Sequence, residues 1–264
     1  MITLPNSYNT DVLTEEQIQF LSKLLPQPHS NTGRPSYSNA ELLPGILRVL
    51  RSGMRWRDLD DRSLPSSVTH WRRLRFWQRK FELEKIWNLI LTKLGEDNKL
   101  NLKVGAIDGS LIQSFKFKDM TGYSGKYKKT GTKISSLVDS NGLPLNLVFA
   151  PGNRHDLPFA KDTVKRSNYK PDTLLADKGY DSDNFRFLLI KLGIIPNISP
   201  RNIKNRKLKP KYDHELGKKR YKVERTNAWI KSFRRLRFRF DYTSVSFKAL
   251  VFLGLIVICI RKLI

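Results

Sequence analysis

A change of hydrophobic period near residue 98 narrows the possible folds more than any other feature of this sequence. Before it, apolar residues recur every three or four positions, the spacing of amphipathic helices. After it, short apolar runs are broken by Gly, Asn and Asp turn signals, and helical spacing returns only between them. Such a chain is neither a helical bundle nor a β-sandwich. It reads as a helical module followed by an α/β domain.

The helical part is well punctuated. Thr14-Glu15-Glu16-Gln17 is a capping box, followed by Ile18, Leu21, Leu24 and Leu25. A second box, Ser38-Asn39-Ala40-Glu41, opens a helix carrying Leu42, Leu43, Ile46, Leu47 and Leu50, with Gly53 placed to stop it. Trp56-Arg57-Asp58-Leu59 reads as a short helix or turn. The next helix, over 65–79, is expected to bury Val68, Trp71, Leu74 and Phe76 or Trp77 and to present His70, Arg72, Arg73, Arg75 and Arg79. Leu83, Ile86, Trp87, Ile90 and Leu94 make one more amphipathic helix. Residues 1–33 are then an arm and a helix, 34–97 a helical module, and 98–264 the α/β domain. The short-helix, turn, basic-helix order inside 34–97 suits a helix-turn-helix reader of DNA, with Arg72, Arg73 and Arg75 on phosphates.

Charge points the same way. Forty-nine Lys and Arg stand against twenty-four Asp and Glu, a formal net charge of +25. That excess calls for a polyanionic partner, and double-stranded DNA is the expected one. The basic residues are spread through periodic segments, which disfavours a polybasic membrane tail. Cys259 is the single cysteine, so neither a disulfide framework nor a zinc cluster is expected, and a reducing cytoplasm fits. Ala249 to Ile260 is an uncharged apolar run, shorter than the ~20 residues that span a bilayer, and reads as a buried terminal helix.

In the second part, Val104 to Asp108 is a short strand ending on a carboxylate, and 115–130 a loop rich in Gly, Lys and Tyr. Thr132 to Val138 and Leu143 to Phe149 are strands joined at Ser140-Asn141-Gly142, a strong hairpin signal. A helix capped by Asp156, a strand ending on Asp177, a helix over 182–192, a strand over 194–198 and a helix from Arg220 follow. Three strands, helix, strand, helix, strand, helix is the progression of a ribonuclease H-like mixed sheet flanked by helices. Arg220, Glu224 and Lys231 fall on one stripe of the last helix. Between 201 and 240, sixteen basic residues surround three acidic ones. A lone Glu there repels phosphate, and makes sense as a metal ligand. Its partners would be Asp108 and Asp177, 69 residues apart, with Glu224 another 47 residues on. Hard divalent ions take oxygen ligands, and two Mg²⁺ about 4 Å apart can activate a nucleophile and stabilise a leaving oxygen at a phosphodiester.

Ala106-Ile107-Asp108-Gly109-Ser110, Gly152-Asn153-Arg154-His155-Asp156, Ala176-Asp177-Lys178-Gly179-Tyr180-Asp181 and Val223-Glu224-Arg225-Thr226 resemble the motifs of bacterial insertion-sequence transposases of the DDE type, insertion-sequence-five group. Gly33-Arg34-Pro35, Leu47-Arg48-Val49-Leu50 and Trp56-Arg57-Asp58-Leu59 echo that group's N-terminal domain. The resemblance implies a ribonuclease H-like catalytic core in which Asp108, Asp177 and Glu224 hold two Mg²⁺, for which Mn²⁺ can substitute. It implies that Arg220 and Lys231 place phosphates, as members of a Tyr, Arg, Glu, Lys signature whose Tyr position falls here on Gly217. It further implies binding to terminal inverted repeats, cleavage of the element ends, joining to target DNA, a homodimer on DNA, and a place at the bacterial nucleoid. Two alternatives share these residues: a non-catalytic DNA-binding derivative of such an enzyme, and a metal-dependent nuclease of the same fold.

Overall fold

The computed structural model describes residues 12–28, 36–59, 65–79, 82–115, 119–202, 206 and 210–264. Gly33-Arg34-Pro35 lies outside them. The chain forms two compact units, Met1–Leu94 with Ile230–Ile264, and Gly95–Trp229. These boundaries differ from a single cut at 97/98, because the last 35 residues cluster with the N-terminal helices.

In the first unit, α1 (Glu15–Leu24) and α2 (Asn39–Ser52) each open with the expected capping box, on Thr14 and Ser38. Gly53 ends α2 at φ +72°, a left-handed conformation that a side chain would strain. The 3₁₀ turn Trp56–Leu59 leads to α3 (Ser67–Arg79), and α4 (Glu82–Glu96) follows. The core is Leu42, Leu43, Ile46, Leu47 and Leu50 of α2, Leu74 and Trp77 of α3, Leu236 of the short α9 (Arg234–Arg237), and the apolar residues of α10 (Ser244–Leu263).

Here α3 departs from expectation. Its buried side is His70, Arg73, Leu74, Trp77 and Gln78, while Val68 and Trp71 are exposed. The Trp77 indole N–H donates to Pro26 O at 3.1 Å, which fixes the helix's rotation. Arg73 is therefore not a DNA contact. It lies at 5% exposure, donating to Asn39 Oδ1 at 2.5 Å, Tyr37 O at 2.6 Å and Gln27 Oε1 at 3.2 Å. Its guanidinium ties the entry to α2 onto α3. Arg75 is half-buried, donating to Ser246 Oγ at 3.2 Å and lying over the Trp71 ring. Arg72 alone of the three is exposed.

α10 extends beyond the apolar run seen in the sequence. At 20 residues and a mean hydropathy of 2.1 it is long and apolar enough to cross a bilayer, but 72% of its apolar stretch is buried inside the protein. It is capped by Thr243, packs on α3, and places Phe252 against Trp87 of α4 with ring centroids 5.9 Å apart. A core helix is the reading that fits this burial.

The second unit is built on β1 (Val104–Ser114), β2 (Gly122–Ser124), β3 (Lys129–Val138), β4 (Pro144–Pro151), β5 (Thr173–Ala176) and β6 (Ile195–Ile198). β3 pairs antiparallel with β1 on one side and with β2 and β4 on the other. β1 pairs parallel with β5, and β5 with β6. Across the sheet the order is thus β4, β3, β1, β5, β6, with three antiparallel strands followed by two parallel ones. This is the ribonuclease H-like arrangement. Gly142, at φ +83°, turns the β3–β4 hairpin as its Asn-Gly signal requires.

α5 (Asp156–Arg166) and α6 (Asp183–Lys191) cover one face, burying Ile107, Leu137, Ala160, Val164, Leu174, Ala176, Phe185 and Leu189 together. α7 (His214–Lys218) and α8 (Tyr221–Ser232) follow, and Val223 is buried with Ala106, Val138 and Leu175 on the opposite face. Several local expectations shift. β2 forms inside the stretch read as loop. The N-cap of α5 is His155 rather than Asp156. Trp229 is 38% exposed, with the Arg225 guanidinium 4.8 Å from its ring.

Candidate active site

Strand alternation decides which way the acids face. On β1, Ala106 packs toward Val223 of α8 and Ile107 toward α5 and α6. Side chains alternate along a strand, so Asp108 shares the α8 face with Ala106. On β5, Leu175 faces α8 and Ala176 the other side, which returns Asp177 to the α8 face. The parallel register Ala106↔Leu175 sets the two acids side by side, two residues beyond.

Asp108 does not end its strand, contrary to the sequence reading. β1 runs on to Ser114 because Ser110 to Gln113 keep pairing with β3. What ends here is β5, at Ala176, and this opens the sheet beside Asp108. Asp177 takes up the position after the strand. Its Oδ1 accepts the Gly179 N–H at 2.7 Å and caps the turn Lys178–Tyr180.

α8 is held over this opening by more than Val223. Thr226 Oγ1 donates to Gly142 O at 2.5 Å, and Arg225 Nη2 to Asn141 O at 2.6 Å. Ser136 Oγ donates to Asn227 Oδ1 at 3.1 Å, and Ser136 is the β3 partner of Asp108. Thr226 and Asn227 are both buried, so the start of the helix is pinned to the hairpin and to the strand beside the acid.

The electrostatics bind the set together. Burial pushes the Asp108 carboxyl up to about 6; the Asp177 charge adds to the rise, while Arg220, the Gly109 N–H and Lys126 oppose it. Arg220 Nη2 donates to Glu224 Oε1 at 2.5 Å, one helical turn along. Glu224 is half exposed and engaged with this cation. Among the described residues, no three of His, Cys, Asp or Glu are grouped closely enough to hold a metal ion. The structure therefore brings Asp108 and Asp177 together and leaves Glu224 on the neighbouring helix turn, paired to Arg220. The donors still fit hard divalent ions. They are carboxylate oxygens on one face, and a cation beside Asp108 would relieve both the burial and the repulsion that raise it. Lys231 lies seven residues after Glu224 on the same helix, near its end. At Gly217, where the Tyr of the signature would stand, an added Cβ would lie 2.1 Å from the Tyr212 hydroxyl. The space is filled by that neighbouring phenol.

A second group of residues at the site went unassigned from sequence. Lys133 is buried; its Nζ lies 2.8 Å from Asp156 Oδ1 and donates to Arg154 O. Tyr180 is 2% exposed, and burial, then Asp108, Asp156 and Asp177, push its hydroxyl well above the ordinary phenol range. The Tyr127 hydroxyl donates to Gly109 O at 3.2 Å. Burial works against the Lys126 charge, but Tyr127, Asp156, Asp108 and Asp177 together hold its pKa above the ordinary value. The available signal was the His155-Asp156 pair inside its motif, which reads equally well as a helix start.

Comparison with known proteins bears on most of the chain. The family model described as the transposase DDE domain matches residues 100–260, and one described as a candidate transposase of the IS4/5 family matches residues 13–87. An uncharacterized 16.2 kDa protein of insertion element IS402 from Burkholderia cepacia is 37% identical over 108 residues, 39% of this chain and 74% of that protein. A candidate transposase for insertion sequence element IS6501 from Brucella ovis is 31% identical over 132 residues, 49% of this chain and 98% of the other. Among solved structures, a piggyBac transposase synaptic complex with hairpin DNA is similar over 96% of this chain and 71% of that one, at 15% identity and a TM-score of 0.49.

Proposed function

Because this chain belongs to the DDE transposase family, we propose that it hydrolyses the phosphodiester at each end of its own mobile element and joins the freed 3′-hydroxyls to target DNA. The observation that carries this reading is that Asp108 on β1 and Asp177 just past the end of the adjacent parallel strand β5 stand side by side, on the face of the helix of Glu224. The net charge of +25 supports a DNA partner.

Asp108, Asp177 and Glu224 would hold two Mg²⁺, or Mn²⁺ in their place, and the ions would supply Lewis acidity to the attacking and leaving oxygens. Arg220 is placed to neutralise a phosphate oxygen beside the acids. Lys231, near the end of the same helix, extends that positive stripe along a DNA backbone. Arg72, on the exposed side of α3, and the part-exposed Arg75 would meet phosphates of the element end. Cutting and joining two ends calls for two copies of the site, hence a dimer on DNA in the bacterial cytoplasm, at the nucleoid.

The test uses the purified chain, Mg²⁺ and duplexes copied from the DNA flanking its gene, with sequencing of cut and joined products. Wild-type protein should yield both. Asp108→Asn and Asp177→Asn should yield neither while still binding the duplex. Undiminished cutting by either variant would overturn the assignment, and cutting without joining would make the protein a nuclease.

A further inference from the structure

α3 turns a stripe toward solvent that is part apolar and part cationic, and phosphate contact explains only the cationic part. Val68, Trp71, Arg72, Arg75 and Arg79 recur at steps of three and four, which puts them within roughly 100° of arc on one side of the helix. Val68 is 51% exposed and Trp71 39%, Arg72 and Arg79 are exposed, and Arg75 is half-buried. The rotation that points this stripe outward is fixed from behind. Trp77 donates to Pro26 O, and Arg73 to Asn39, Gln27 and Tyr37 O, on the buried side. Trp71 is itself held in place, because the Arg75 guanidinium lies 5.4 Å from the centre of its ring and donates to Ser246 Oγ. Along the stripe the two apolar residues stand in the first half of the helix, and Arg75 and Arg79 in the second. α3 contains no acidic residue.

Resting on the reading that α3 meets the element end, we propose that Val68 and Trp71 contact thymine methyl groups in the major groove, and so supply sequence preference where the arginines supply affinity. Phosphates attract Arg72 and Arg75 but offer nothing to an isopropyl group or an indole. In the major groove the apolar feature that tells one base pair from another is the thymine 5-methyl group. A helix docked there presents its N-terminal residues to the base edges, and Val68 and Trp71 are the second and fifth residues of α3. The arginines farther along the same stripe then lie against the flanking phosphates, which fix register and carry no sequence information. Charge selects DNA over a protein as the occupant of this patch. Three guanidinium groups share its arc, and α3 has no carboxylate to offset them.

The test measures binding of the purified chain to the element-end duplex and to a scrambled duplex of the same composition. The end duplex is made both with thymine and with deoxyuridine, which lacks only the methyl group. Loss of one methyl contact should weaken binding about fourfold, the transfer value of one buried carbon. Wild-type protein should therefore prefer the thymine end to the deoxyuridine end by about fourfold or more. The double variant Val68→Ser/Trp71→Ala should bind the thymine end more weakly, keep its affinity for the scrambled duplex and its salt slope, and lose the response to deoxyuridine. Both side chains are exposed, so its unfolding midpoint should match that of the wild type. Arg72→Ala, by contrast, should weaken binding to both duplexes alike. A deoxyuridine response that survives in the double variant, or a loss of equal size on end and scrambled duplexes, overturns the methyl contact. Unchanged binding to every duplex also overturns it, and leaves the patch to a protein partner. Wild-type protein that does not distinguish the end from the scrambled duplex would instead refute the element-end reading on which the proposal rests.

Discussion

Replacing Asp108 with Asn should make the fold more stable. The carboxyl is raised from 3.8 to about 6 by burial and by Asp177, so the folded state disfavours its charge. Folded protein binds a proton at Asp108 more readily than unfolded chain does. Stability is therefore lost as pH rises from about 4 through 6, and the full penalty stands at pH 7. Two pKa units correspond to about 3 kcal/mol, which the partial exposure of the group reduces to about 2 kcal/mol. Asn keeps the shape and can still accept the Gly109 N–H, but carries no charge to desolvate. Urea denaturation in chelator at pH 7.5 should show Asp108→Asn more stable by about 2 kcal/mol, and the gap should close at pH 4. Adding Mn²⁺ should then stabilise the wild type by mass action and move the variant far less. An Asn variant equal to or weaker than wild type at pH 7.5, or a gap indifferent to pH, would refute the burial argument.

Three further outcomes follow from other parts of the molecule. Arg73→Ala should destabilise the first unit by about 3 kcal/mol, because it strands the polar atoms of Asn39 and Tyr37, while Arg72→Ala should leave the unfolding midpoint alone and lower the salt slope of DNA binding by about one unit; a filter-binding salt series that does not distinguish Arg72→Ala from wild type removes Arg72 from the interface. Asp181 is drawn down to about 2, burial opposing but Arg206, the Arg201 N–H and Arg186 prevailing; its stabilisation is present above pH 4 and lost as pH falls through 2, so the deficit of Asp181→Asn at pH 7 should shrink below pH 4 in an acid-denaturation series, and a constant deficit would deny the ion pairs that role. Lys231→Ala should slow single-turnover cutting more than it weakens DNA binding, since ample other charge secures affinity; equal losses in both would make Lys231 a part of the general field.

Several features of this protein are local, and the sequence alone determined them. Thr14, Ser38 and Gly53 cap helices because their own side chain or backbone freedom meets groups within three or four residues. Asn141-Gly142 turns a hairpin for the same reason, and the change of period separated helices from strands. The three acids were singled out because carboxylates in a basic chain, each at an element boundary or on a cationic helix, have few structural uses together; the structure sets Asp108 beside Asp177 and leaves Glu224 paired to Arg220. Decisions that depend on distant partners were not legible. An arginine pattern does not say which guanidinium faces water; Arg73 is buried because Asn39 and Gln27, 34 and 46 residues away, hold it. Asp108 sits mid-strand because β3 continues beside it after β5 has stopped. Lys133 and Asp156 meet only once sheet and helix have packed, and no spacing in the sequence encodes that meeting. Local hydrogen bonds and periodicity are written in neighbouring residues, whereas burial and charge pairing exist only after the chain has closed on itself.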